Sequence, residues 1–429
     1  MTPSPATRPA TLRPATLRPA TLRPATLRQC AILAGGLATR LGDIAAETPK
    51  PVLRVGGRPF ITWLMREMLR FGVDEFLILT GHMSDAVQDA VIDAAASLPK
   101  RVKLLFSEEP VRAGTGGALL HARPHLHDRF LLCNGDSLFD CNIAALISSF
   151  AHDPDDVLGR MVVRKIPDAS RYGTVALHGD HVTAFSERPA ADTTAHGIIN
   201  AGIYAFDKRM LDMLSPVCSL ERDIMPRLAE AGQLRATMQH GWFVDIGIPS
   251  DLEHARRELA SCMDRPALFL DRDGVLNIDH GYVGSQDRWE WVDGAREAVA
   301  LATAHGWHVF VVTNQAGVAK GLYGVPEVDA LLIWLADELR RAGGTLDDWR
   351  YCPYHKEAHV DAYRRESDWR KPAPGMIVDL IKTWELDHRR CIMIGDKDTD
   401  MQAAKGANVA GYLFPGGDLH QFIKPLLGL

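Results

Sequence analysis

Ala267-Leu-Phe-Leu-Asp-Arg-Asp-Gly-Val275 decides how the second half of the chain folds. Four apolar residues run straight into Asp271 and Asp273, the pattern of a short buried strand ending in two carboxylates. The shape recurs downstream: Val309-Phe-Val-Val312 ends on Thr313, and Cys391-Ile-Met-Ile394 ends on Gly395-Asp396. Helical stretches separate these runs, and strands alternating with helices predict a parallel α/β sheet. Such sheets bind ligands beyond the carboxyl ends of their strands, so three polar strand ends predict one assembled site.

Working outward, the same rhythm fills the first half. Cys30-Ala-Ile-Leu33, Phe76-Leu-Ile-Leu-Thr80, residues 102–106 and Phe130-Leu-Leu-Cys133 read as strands, and residues 251–263 as a helix. Asp264-Arg-Pro266 is the expected linker, which divides the chain into an α/β domain at 29–263 and a second at 267–429. A length of 429 residues exceeds one ordinary core and fits two domains.

Composition narrows the function classes. Hydrophobic residues at 46% and charged residues at 24% describe an ordinary globular protein. The formal net charge of -6 gives no basis for a nucleic-acid partner, and local basic clusters suffice for phosphorylated small molecules. No apolar run reaches the roughly 18 residues of a membrane span. Seven cysteines, an odd number without a CxxC, predict free thiols in a reducing cytoplasm. Pro-Ala-Thr-Leu-Arg repeats four times between Pro9 and Arg28, and a proline every fifth residue excludes a stable helix. Residues 1–28 are expected to be a disordered tail; they lack the apolar stretch of a signal peptide.

Alone, Asp271-Arg-Asp273 would be an ordinary acidic turn. Followed in order by Thr313-Asn314, Lys371-Pro372 and Gly395-Asp396, it resembles the haloacid dehalogenase superfamily. It is most similar to the heptose 1,7-bisphosphate phosphatases, through Phe269-Leu-Asp-Arg-Asp-Gly274, Asp279-His-Gly-Tyr-Val283, Val312-Thr-Asn-Gln315, Arg370-Lys-Pro372 and Ile394-Gly-Asp-Lys397. The resemblance implies a Rossmannoid domain. The intervals between Asp271, Thr313 and Lys371 leave no room for a large cap. It implies Asp271 as nucleophile and Asp273 as general acid and base, with Thr313 and Lys371 stabilising the transferring phosphoryl group. Mg²⁺ would be held by Asp271, Asp396 and the carbonyl of Asp273, with Asp400 either supporting it or capping a helix. The sugar phosphate would meet Asp279, His280, Gly281, Tyr282, Asn314, Gln315, Ala316, Arg370 and Lys397.

Many relatives hold the loop before the lysine motif with a zinc bound by three cysteines and a histidine. Here only Cys352 stands at a ligand position; Tyr354, Ser367 and Trp369 occupy the others. One thiolate with nearby His355 and His359 falls short of a closed site, so no structural zinc is expected. Tyr354 and Trp369 are expected to pack the loop ends together.

The second signal is Leu33-Ala-Gly-Gly-Leu-Ala-Thr-Arg-Leu41 followed by Thr48-Pro-Lys-Pro51. A glycine pair after a strand lets backbone N–H groups approach a triphosphate, and Arg40 and Lys50 supply charge for a leaving pyrophosphate. With Gly114-Thr-Gly-Gly117, Asn134-Gly-Asp136, Glu187-Arg-Pro189, Asn200-Ala-Gly-Ile-Tyr204 and Val244-Asp245, this resembles the sugar nucleotidyltransferases, most closely the heptose 1-phosphate guanylyltransferases. The resemblance implies a Rossmann-like domain that binds the nucleotide at Leu33, Ala34, Gly35, Gly36, Glu109, Gly114 and Thr115. Asp136 and Asp245 would bind Mg²⁺. Tyr172, Gly173, Glu187, Arg188 and Asn200 would hold the sugar phosphate. Ala38 stands where relatives often have glycine.

Guanine offers two adjacent N–H groups to a carboxylate at Glu109 and uracil only one, which favours GTP; a plain loop glutamate is the alternative. Together the halves predict consecutive steps toward a GDP-heptose, the partners being an NTP and sugar phosphates. Other readings stay open: a mannose-1-phosphate guanylyltransferase or uridylyltransferase, a histidinol-phosphate phosphatase, or a first half that senses nucleotide sugars without catalysis. Oligomeric state is not legible.

Overall fold

The computed structural model describes residues 27–36, 39–45, 48–187 and 197–429. Most of the proline-spaced repeat, together with Ala38 and Arg188, lies outside the described residues. Leu27 and Arg28 at the end of the repeat are packed. Leu27 is buried, and the carbonyl of Arg28 accepts from Asp74 N at 3.0 Å.

The first half is built on a nine-stranded sheet. Its strands lie in the order Lys103–Glu108, Glu75–Thr80, Gln29–Leu33, Arg129–Asn134, Gly197–Asp207, Gly159–Ile166, Leu234–Met238, His181–Ser186 and Thr174–His178. The first four run parallel, with Cys30 opposite both Phe76 and Leu131. From Gly197–Asp207 onward the sheet is mixed: antiparallel pairs appear, while Leu234–Met238 runs parallel to Gly159–Ile166. Of these later strands, Thr174–His178 and His181–Ser186 are short and half-exposed, and carry no apolar run that would mark them in the sequence. The expected helix is present as Pro249–Cys262.

The second half has five parallel strands in the order Asp348–Cys352, His308–Asn314, Ala267–Leu270, Cys391–Gly395 and Ala410–Leu413. Leu268, Phe269 and Leu270 are fully buried in the middle, as a central strand covered on both faces requires. Among the described residues no helix is long and apolar enough to cross a membrane, and all seven cysteines are unpaired thiols.

The two sheets meet at a buried set of charges. Arg70, at the end of the helix Phe60–Arg70, donates from Nε to Asp347 at 2.7 Å and from Nη2 to the carbonyl of Trp307 at 2.9 Å. Arg265, in the expected linker, is buried and pairs with Glu67 and Asp140, each at 2.8 Å. His308 Nδ1 lies 2.9 Å from Asp347, which also accepts from Val309 N. Burial keeps His308 neutral, lowering it to about 4, so its Nδ1–H donates to the carboxylate. Every charge here faces an opposite one, the condition for burying charge at all.

Candidate functional sites

At the second site the sheet delivers its groups from neighbouring strand ends. Asp271 N donates to the carbonyl of Ile394 at 2.9 Å, which seats the carboxylate beside Asp396. Asp271 is buried, and Lys371 Nζ lies 2.9 Å from it and 2.6 Å from Asp400. Burial pushes Asp271 up to about 7 against the pull of Lys371, and Asp400 adds to the rise. Burial also works against the charge on Lys371, but its two carboxylates outweigh it and raise the lysine. Asn314 clamps the lysine's backbone, donating to the carbonyl of Lys371 and accepting from its N–H, both at 3.0 Å.

Asp271, Asp396 and Asp400 bring carboxylate oxygens within 4.8 Å of one another, with Lys371 at Asp271 and Asp400 and Lys397 3.4 Å from Asp396. Burial raises Asp396 as well, and its buried Oδ1 has no hydrogen-bond partner among the described residues. Surplus negative charge and an orphaned buried acceptor both suit a hard divalent cation. Asp400, whose role the sequence left open between metal support and helix capping, caps: one oxygen accepts from Lys397 N at the start of the helix Asp398–Gly406, and the other faces Lys371. Gly274 allows the close fit, with φ of +90° and Asp396 where a Cβ would stand.

Asp273 is held by residues that the sequence did not single out. Arg272 donates to both of its oxygens at 2.8 Å and Asn277 to one at 3.0 Å. Gln315 also reaches Asp273, at 3.2 Å, while bonding Thr313 at 2.9 Å and accepting from Tyr323. The loop from Asp279 to Tyr282 lies against Lys397, which donates to Asp279 at 3.0 Å, and His280 pairs with Glu290 at 2.7 Å. Arg288 supports the loop from behind, donating to the carbonyls of His280, Gly281 and Tyr282. Ala316 opens the helix Ala316–Ala319 directly after this set. Arg370 turns toward the carbonyl of Tyr354 at 3.2 Å. In that loop Tyr354 and Trp369 pack beside buried Cys352, and Arg365 lies 3.7 Å over the Tyr354 ring.

The first site is a cavity of about 250 Å³ where Leu33, Ala34, Gly35 and Gly36 leave the strand Gln29–Leu33. Lys50 pairs with Asp136 at 3.1 Å on its wall. Asp245 arrives through a two-stranded pairing of Ser137–Phe139 with Phe243–Asp245, which sets Asp245 opposite Ser137. Burial, then the nearby Asp136, raises Asp245 to about 6; Lys50 and Arg40 oppose the rise. Arg40, Lys50, Asp136 and Asp245 are thus brought together.

Glu109 lines the cavity, one oxygen accepting from Ala113 N at 3.0 Å. Gly114 and Thr115 are also on its wall, and Thr115 donates to Glu221 at 2.7 Å. Glu221 and Arg112, both on the same wall, were not singled out by the sequence because neither belongs to a glycine or acidic motif. Tyr172 packs edge-on against Phe243, two residues from Asp245, and Gly173 accepts from Asn200 N at 2.9 Å. The Asn200 side chain bonds Tyr204 and Gly202, and Glu187 is exposed.

A nucleotidyl transferase family model matches residues 30–261, more than half of the chain, and a HAD-hydrolase-like model matches residues 368–421. A D-glycero-beta-D-manno-heptose-1,7-bisphosphate 7-phosphatase of Rhodopseudomonas palustris is 47% identical over 168 residues, 39% of this chain and 93% of that protein. The Escherichia coli K12 protein of the same name is 41% identical over 144 residues, 34% of this chain and 75% of that protein. Among solved structures, HddC from Yersinia pseudotuberculosis is 29% identical, covers 54% of this chain and 100% of its own, and has a TM-score of 0.48. The chain belongs to the nucleotidyl transferase family through its first half and to the heptose-bisphosphate 7-phosphatase family through its second. It is an enzyme that joins a nucleotidyltransferase to a phosphatase.

Proposed function

We propose that the chain catalyses two consecutive steps on one sugar. The second half removes the 7-phosphate of D-glycero-D-manno-heptose 1,7-bisphosphate. The first half then joins the resulting heptose 1-phosphate to a nucleotide, GMP from GTP, with release of pyrophosphate. The observation that carries the reading is the buried Asp271 held against Lys371, beside Asp396 and Asp400, in a chain whose other half is a nucleotidyl transferase. The product of a 7-phosphatase acting on a 1,7-bisphosphate is a sugar 1-phosphate, the class of substrate a sugar nucleotidyltransferase consumes. The free thiols support a cytoplasmic setting.

Asp271, Asp396 and the carbonyl of Asp273 would hold Mg²⁺, with Asp400 behind them. When bound, the ion supplies the positive charge that lets a carboxylate approach a phosphate dianion. Asp271 attacks phosphorus and the sugar oxygen leaves, taking its proton from Asp273. Thr313 and Lys371 steady the phosphoryl oxygens. Asp273 then removes a proton from the water that hydrolyses the aspartyl-phosphate, and inorganic phosphate departs. At the first site the sugar-phosphate oxygen attacks the α-phosphorus of the NTP directly. Glycine N–H groups, Arg40 and Lys50 would steer the triphosphate, and Asp136 and Asp245 would carry a second Mg²⁺. The Cys352 loop, held by Tyr354, Trp369 and Arg365, would need no zinc.

The test supplies each anomer of the bisphosphate with Mg²⁺ and each of four NTPs, following phosphate and pyrophosphate separately. The expected result is phosphate first, then pyrophosphate with GTP. Pyrophosphate only with another NTP, or none from heptose 1-phosphate, would overturn the transferase half. The named relatives concern the beta bisphosphate, so the anomer that yields both products shows whether the two halves share one sugar.

A further inference from the structure

We propose that Lys320 reads the second phosphate of the bisphosphate, the one the phosphatase does not remove; the inference rests on the substrate proposed above. The other cations of the phosphatase site are committed to protein acceptors. Lys371 faces Asp271 and Asp400, Arg272 holds Asp273, and Lys397 pairs with Asp279 and Asp396. Arg288 spends its donors on three loop carbonyls, and Arg370 turns to the carbonyl of Tyr354.

Lys320 differs. It has no carboxylate within ion-pair distance among the described residues; its ammonium donates to the Tyr282 hydroxyl and lies 4.6 Å from the centre of that ring. A phenol and a ring face orient an ammonium without neutralising it, so its counter-charge remains to be supplied.

Its position points to the substrate as the source. Lys320 ends the turn opened by Gln315, whose side chain bonds Thr313 and Asp273, and its N–H donates to the carbonyl of Ala316 at 3.0 Å. It therefore stands about one helical turn, roughly 5 Å along the axis, beyond the Gln315–Ala316 end of the turn. Tyr282, its contact, is 41% exposed and sits at φ of +53° in the loop that Arg288 braces. The pair thus forms a braced rim that carries an unneutralised ammonium. A sugar whose 7-phosphate lies at Asp271 carries its 1-phosphate outward, toward such a rim. A monophosphate would leave the charge unused.

The experiment compares kcat/KM for heptose 1,7-bisphosphate with that for heptose 7-phosphate, which differ only in the second phosphate. Wild type, Lys320→Met and Lys320→Arg are measured with Mg²⁺ in excess. The bisphosphate preference should fall roughly 10- to 100-fold in Lys320→Met, the scale of one charge-assisted hydrogen bond, and through KM more than kcat. Lys320→Arg should keep most of the preference. An unchanged preference in Lys320→Met, or equal losses on both substrates, overturns the inference and leaves Lys320 as a support for Tyr282. A wild type without any bisphosphate preference overturns the substrate reading instead, and the inference with it.

Discussion

The two candidate sites differ in their degree of enclosure. Asp271, Lys371 and Asp400 are buried at the strand ends of a parallel sheet, whereas Lys50, Asp136 and Asp245 are half-buried around an open cavity. The difference follows from the chemistry proposed for each. A protein nucleophile must be held ready in one place, and burial strengthens each charge that holds it. A direct transfer between two bound substrates needs room for both, and steering charges on the walls are enough.

The comparison breaks most sharply at its two carboxylates. Asp271→Asn should lower phosphate release at least roughly a thousandfold, since no amide replaces the nucleophile. Pyrophosphate release from heptose 1-phosphate and GTP should stay within a factor of about two in the same protein. Asp136→Ala should do the reverse. Loss of both activities in either folded variant would mean that the sites are not independent.

Next comes the seam between them. Arg70→Ala removes the one arginine at buried Asp347, leaving it neutral donors from His308 and Val309, and leaves Glu67 with Arg265 alone, a change of about 3–5 kcal/mol. The melting temperature should drop by several degrees, and both activities should fail together on heating. Two separate melting transitions in the wild type would refute a shared seam.

A smaller effect is expected from pH. His308 is held at about 4 against an ordinary value near 6.5, so the unfolded chain takes up its proton first as pH falls. The stability it contributes is complete above about pH 6.5 and declines down to about pH 4. Asp347, held below the ordinary carboxylate range by Arg70 and His308 against its burial, adds a loss only in more acidic solution. Denaturant unfolding across that window should show the decline, and His308→Gln should flatten it. A flat wild-type profile would mean that His308 titrates alike folded and unfolded.

The subtlest change sharpens the nucleotide side. One oxygen of Glu109 is already bound to Ala113 N, which leaves the other for a base. Glu109→Gln should reduce kcat/KM for GTP about tenfold, the scale of one mismatched buried hydrogen bond, with little change in sugar-phosphate KM. Unchanged GTP kinetics would return Glu109 to a role in shaping the loop.

Much of the fold and the candidate sites was legible because the signals are local. An apolar run stopping at Asp271, Thr313 or Asp396 marks a strand and its polar end in one short stretch, and Gly35-Gly36 with Lys50 marks a candidate anion site in the same way. The antiparallel edge strands Thr174–His178 and His181–Ser186 were less legible, since short half-polar runs do not stand out from loops. Arg272 and Asn277 around Asp273 were missed for another reason: their importance lies in a contact, and residue type alone does not announce one.

The sequence by itself determined the kinds of chemistry, because strand ends, glycine turns and acidic pairs are written within a few residues of each other. Tertiary structure decided which distant charges meet. Asp400 reaches Lys371, Asp245 reaches Asp136, and Arg70 reaches Asp347 across 277 residues of chain. Lys320 meets a tyrosine hydroxyl and ring, and no carboxylate among the described residues, only because of how its neighbours pair. Coulomb energy depends on separation and burial in space, and a spacing along the chain specifies neither.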